Sequence, residues 1–126
     1  MGNAIVEKTF VFAEKSLNVY FELRKNGHFR LADQFVGAAT SIGANVEEAQ
    51  AAHSKLDFIS KMVISAKEAR ESRYWIRLLD RKELAQNLPD FPFLKTEIEE
   101  ILKILNSIIK SSRENLKGGK PPGSNT

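Results

Sequence analysis

Residues 40–61 read TSIGANVEEAQAAHSKLDFISK, and this stretch decides the fold. Extended back to Arg30, its first half places Leu31, Phe35, Ala39, Ile42, Val46 and Ala49 at intervals of four, four, three, four and three. That rhythm is the core seam of an α-helix running from about Arg30 to Ala52. A second strip, Gly37, Ser41, Ala44 and Ala51, recurs at four, three and seven and carries no bulk. At about 100° per residue these four share one side of the helix. A side without bulk lets another backbone come close. Gly37 and Gly43 each cost about 1 kcal/mol against alanine inside a helix, so both predict tight packing. The second half of the stretch starts a new helix. Ser54-Lys55-Leu56-Asp57 has the form of a capping box, with Ser54 as N-cap and Asp57 three residues on. The turn at His53-Ser54 is so short that the helices it joins must be antiparallel neighbours.

Working outward, helix 1 spans about Ala4 to Lys25. Val6, Phe10, Ala13, Leu17 and Phe21 form its first apolar face, the predicted core face. Ile5, Phe12, Val19 and Leu23 form a second stripe a third of a turn or more away. A surface helix needs only one apolar face, so the second stripe is predicted to meet another helix or another subunit, and Phe12, Val19 and Leu23 are the candidate oligomer-interface residues. Asn26-Gly27 ends the helix. Helix 3 runs from the capping box to about Leu84. Asn87, Pro89, Asp90 and Pro92 then break the chain. Helix 4 begins near Phe93, with Leu94, Ile98, Ile101, Leu105 and Ile108 in one seam widened by Leu102, Ile109 and Leu116. Strand-like alternation is absent. The expectation is an all-α, antiparallel up-down-up-down four-helix bundle over residues 1–116, followed by a disordered C-terminal tail over 117–126.

The 126 residues, 42% of them hydrophobic, suit one domain. With no cysteine, disulfides, thiol nucleophiles and thiolate metal sites are excluded. The N-terminus shows no leader pattern, and no apolar run approaches the ~20 residues that span a bilayer. The expectation is a cytoplasmic protein with no membrane partner. A net charge of +3 permits an anionic partner without requiring one.

On helix 3, Lys67, Arg70, Arg73, Arg77 and Arg81 fall within about a third of the circumference, and Tyr74 projects into the same arc. Arginines bind phosphate as bidentate donors, and an aromatic among them offers a stacking surface for an unpaired base. These six are the candidate nucleic-acid contacts, for RNA or DNA. The same pattern fits a solvated or subunit-bridging face. Only Glu71 and Asp80 lie close enough along the helix to neutralise it. Gly37, Ser41, Gly43, Ala44, Asn45 and Glu48 are the candidate packing and register residues of helix 2. Asn45 is read as a buried amide that fixes register, with a ligand contact as the alternative, and Glu48 is expected to pair with Lys8 of helix 1. Di-iron bundles use Glu-x-x-His. Here Gln50 precedes His53 and Lys25 precedes His28, so no metal and no cofactor is expected. No serine shares a helix face with a histidine, so no catalytic residues are assigned.

The segments TSIGANVEEAQAAHSKLDFISK from Thr40 and KEARESRYWIRLL from Lys67 resemble the bacterial "four helix bundle protein" family, found as open reading frames in intervening sequences of 23S ribosomal RNA genes. FVFAEKS in helix 1 and ILKILNSIIKS in helix 4 are more weakly similar. The chain also resembles the accessory protein of diversity-generating retroelements. The resemblance implies a non-enzymatic bundle with relatives that form homopentameric rings. Retroelement relatives bind a reverse transcriptase and nucleic acid through a basic surface. Together these readings predict a non-catalytic oligomer, with nucleic acid bound on helix 3. The alternative is a protein-interaction scaffold that recruits a polymerase or other partner without touching nucleic acid.

Overall fold

The computed structural model describes residues 3–117. The expectation for the tail from Gly118 onward lies outside these residues. Five helices follow in order: α1 (Ala4–Lys25), α2 (Phe29–Gln50), α3 (Lys55–Leu79), α4 (Lys82–Ala85) and α5 (Phe91–Lys117). Four are long and α4 is a single turn, so the architecture is an all-α helical bundle.

Each connection has a local cause. At the end of α1, Gly27 sits at φ +87°, the left-handed region that glycine tolerates. Its N–H donates to the Arg24 carbonyl (3.0 Å), and the His28 N–H donates to Leu23 (2.9 Å). This pair of bonds closes the last turn of the helix. At the start of α3, the Asp57 N–H donates to Ser54 Oγ at 3.0 Å. The Asp57 carboxylate accepts in return from the His53 N–H at 3.4 Å. The predicted capping box is therefore present, with its return bond one residue earlier than usual. Helix 3 was expected to reach Leu84 and instead stops at Leu79, because Asp80 and Arg81 leave helical geometry before α4 restarts. Asp90 takes φ 58°, which a short polar side chain accepts, and turns the chain into α5. Pro92 falls in the first turn of α5, where a missing N–H costs little, so it does not delay the helix to Phe93.

α1 packs on α2, α2 on α3, α3 on α5 and α5 on α1, so α1 and α3 stand at opposite corners. The α2 seam is buried as predicted at Phe35, Ala39, Ile42, Val46 and Ala49, and the α5 seam at Leu94, Ile98, Ile101 and Leu105. Leu116 is exposed rather than part of the α5 seam.

In α1 the second stripe meets the other helices of the bundle, and the first stripe faces outward. Phe12 and Val19 are fully buried and Leu23 is 1% exposed, so they belong to the core and not to a subunit contact. Phe10 and Phe21, expected inside, are 58% and 60% exposed. The buried stripe is Ile5, Thr9, Phe12, Ser16, Val19 and Leu23, spaced four, three, four, three and four. Thr9 and Ser16 make it look polar, yet their small size lets α1 approach α2. A Cβ on Gly43 would lie 3.3 Å from both the carbonyl oxygen and the hydroxyl of Thr9. The Thr9 hydroxyl is itself satisfied by donating to the Ile5 carbonyl at 2.8 Å.

Two buried serines differ in a way that stability measurements will separate. Ser65 Oγ donates across to the Ile42 carbonyl at 2.8 Å, tying α3 to α2. Ser16 Oγ has no partner among the described residues. A buried net hydrogen bond contributes about 1 kcal/mol, whereas an unsatisfied hydroxyl is a cost. Ser65→Ala is expected to lower the urea midpoint and Ser16→Ala to leave it unchanged or raise it. Equal losses would contradict the assignment.

Candidate functional site

The α3 arc keeps only part of its predicted character. Lys67, Arg70, Tyr74 and Arg77 are exposed along one side of the helix. None of the three cations among them makes an ion pair within the described residues. Arg73 is turned toward α5, where it donates to the Glu99 carboxylate at 3.2 Å. Arg81 is not on the helix at all. It precedes α4 in extended geometry and reaches Glu83 only at 3.9 Å. Asp80, expected to offset Arg77, pairs instead with Lys95 of α5 at 2.9 Å. Tyr74 stands edge-on to Trp75 with ring centroids 5.0 Å apart. Trp75, half-buried against the core, donates Nε1–H to Glu71 at 3.1 Å. Burial, and then Glu71, push the Glu68 carboxyl above the usual carboxylate range, against the opposing pull of Lys67.

The same side of α3 also exposes apolar residues. Leu56, Ile64, Tyr74 and Leu78 are all exposed and lie on one side with Lys67 and Glu71. Sequence reading missed Leu56, Ile64 and Leu78 as surface residues. Apolar residues on a long helix are assigned to the core until the buried side is known.

A second surface lies between α1 and α2. Phe10 lines it from α1, and Leu17 and Phe21 are exposed on the same side of α1 as Phe10. Its floor is Thr9, Ala13, Thr40, Gly43 and Ala44, with Glu47 at the edge. Gly37 and Ala44 are exposed, and nothing lies within 4 Å of a Cβ built on Gly37. Within one chain, then, Gly43 alone of the two helical glycines is a tight contact. The strip around Gly37 is smooth and open. Its polar side chains satisfy their own helix: Ser41 Oγ donates to Gly37 (2.7 Å) and Asn45 Nδ2 donates to Ser41 (2.9 Å). Asn45 is half-buried and reaches no other helix, so it does not fix register within the bundle. Glu48 is exposed and does not meet Lys8. Lys8 pairs with Glu97 of α5 at 3.0 Å, the most enclosed ion pair among the described residues. Lys8 lies on the side of α1 that faces α5, away from Glu48 on α2.

Among the described residues, no three His, Cys, Asp or Glu side chains gather as a metal site. No helix there is long and apolar enough to cross a membrane.

The sequence profile of the 23S rRNA-intervening sequence proteins matches residues 2–107. The chain is also similar to a crystal structure of a protein with unknown function from the S23 ribosomal protein family of Bacteroides thetaiotaomicron. The two share 37% identity with a TM-score of 0.76, over 84% of this chain and 98% of that one. No curated protein matches.

Proposed function

The chain belongs to the 23S rRNA-intervening sequence protein family, and with that as premise we propose that it is a non-catalytic assembly module. One observation carries the reading: α1 presents Phe10, Leu17 and Phe21 to solvent beside the smooth strip of α2. A row of large exposed apolar side chains on a small helical domain marks a contact site. Closed rotational assembly is the common way for such a surface to be covered, and five copies is the number that the family resemblance implies. The assembled protein would serve as a scaffold for a polymerase or other partner.

Native mass measurement tests this. Wild type should run at a multiple of the single-chain mass. Phe10→Ser combined with Phe21→Ser should bring it to one chain while helicity stays intact, since both side chains are outside the core. A wild type that is a single chain at high micromolar concentration would remove the reading.

A second reading is favoured by a separate observation. Lys67, Arg70 and Arg77 make no ion pair among the described residues, and Tyr74 stands between them. On this reading α3 carries RNA or DNA. Affinity would then fall linearly with the logarithm of salt concentration, with a slope set by the number of phosphates neutralised.

A further inference from the structure

Resting on the self-association reading above, we infer that the α1/α2 groove of one copy receives the outer face of α3 from a second copy, so that the contact is head-to-tail.

Position is the first argument. α1 and α3 stand at opposite corners of the bundle, and each carries its own exposed apolar stripe. A two-fold contact would bury one stripe and leave the other in water. A head-to-tail contact buries both.

Charge is the second argument. The edges of the groove are acidic: Glu7 and Glu14 on α1, Asp33, Glu47 and Glu48 on α2. All five are exposed, and none is in an ion pair within the described residues. The α3 face offers Lys67, Arg70 and Arg77, equally unpaired. Groove against groove would set acid against acid, and like charges across an interface are costly. Groove against α3 sets most of these acids opposite cations, with Arg24 and Arg30 near the α1–α2 turn and Glu71 on α3 as the exceptions.

Shape is the third argument. Phe10 and Phe21 are about 17 Å apart along their helix, and Ile64 and Tyr74 about 15 Å along theirs. The whole α3 stripe, Leu56 to Leu78, is about 33 Å long, so its Ile64–Tyr74 segment is the part that the α1 patch can cover. The strip of Gly37 and Ala44 gives the incoming helix a floor without bulk. A heterologous contact leaves a free α3 face at one end of the pair and a free groove at the other, so it propagates until it closes.

Charge reversal gives a test that a two-fold contact would fail. Glu47→Lys with Glu48→Lys makes the groove edge of α2 basic. Arg70→Glu with Arg77→Glu makes the α3 face acidic. Each double variant should stay folded by circular dichroism, because all four side chains are exposed. Each alone should lose assembly by native mass. All four substitutions combined in one chain should recover it, since every basic groove then meets an acidic α3 face. The chain has no cysteine, so disulfide trapping supplies a second readout. Ala44→Cys with Tyr74→Cys in one chain should cross-link copies, and neither substitution alone should.

Several outcomes overturn the inference while leaving self-association standing. One is wild-type assembly by the α3 variant. Another is cross-linking by Ala44→Cys alone. A third is loss of RNA binding by the α3 variant with assembly unchanged, which would assign that face to nucleic acid. A wild type that never assembles removes both.

Discussion

Phe12→Ala is expected to lower the unfolding free energy by about 3–5 kcal/mol, while Phe10→Ala, two residues earlier, shifts it by no more than about 0.5 kcal/mol. The contrast follows from position alone. Phe12 is fully enclosed among α1, α2 and their neighbours, so truncation removes its transfer free energy and leaves a cavity in a dense interior. Phe10 is 58% exposed and leaves nothing behind. A domain of this size holds only about 5–15 kcal/mol, so the Phe12 variant should lose a large share of its stability. Its melting temperature should fall on the order of 10–20 °C. Both variants should be measured dilute enough that copies do not associate, since Phe10 is assigned to the contact between copies. If Phe10→Ala were the damaging change, α1 would be rotated about its axis, and the core described above would be wrong.

Gly43→Val is expected to cost about 1–3 kcal/mol or more, and Gly37→Ala to stabilise by up to about 1 kcal/mol. The two glycines lie six residues apart on one helix and look alike in sequence. At Gly43 a Cβ would already stand 3.3 Å from the backbone oxygen of Thr9. The two further methyl groups of valine would push α1 away, and the Ser65 bond to Ile42 sits next door on the same helix. At Gly37 a Cβ meets open space, so alanine brings only its better helix propensity. Urea midpoints of the two variants, again at low concentration, should move in opposite directions. Movement in the same direction would contradict the placement of α2 against α1. The exposure of Gly37 also separates fold from assembly. Gly37→Leu should leave the dilute chain folded but weaken association of copies, because the strip would no longer be smooth.

Much of the bundle was legible from residue order. The α2 seam from Leu31 to Ala49 follows one helical period, so its buried side could be read directly. The α5 seam was legible for the same reason. Asn26-Gly27 and Ser54-x-x-Asp57 are local devices whose bonds lie within a few residues, so the turns they make depend on nothing distant. The break at Asp80 and Arg81 was missed because apolar periodicity continues through Leu84, and only backbone geometry interrupts it.

The interaction surfaces were less legible, and the reason is particular to α1 and α3. Both carry apolar residues on more than one side. In α1 the stripe with the more uniform apolar character lost the interior to the one containing Thr9 and Ser16. Close approach to Gly43 required small side chains there, and hydrophobicity does not register size. In α3 the arginine arc was visible as a pattern, but Glu99 and Lys95 of α5 decided which of its members are engaged. Arg73 was drawn to Glu99, and Lys95 took Asp80 and so left Arg77 without an ion pair among the described residues.

The order of residues by itself determined four amphipathic rods, their antiparallel sequence and their caps, because these depend on periods and bonds no longer than a helical turn. Tertiary structure alone decided which face of α1 is inside, which glycine is crowded and which cations stand free. Each of those is settled by a neighbour tens of residues away, whose distance and bulk no local pattern encodes.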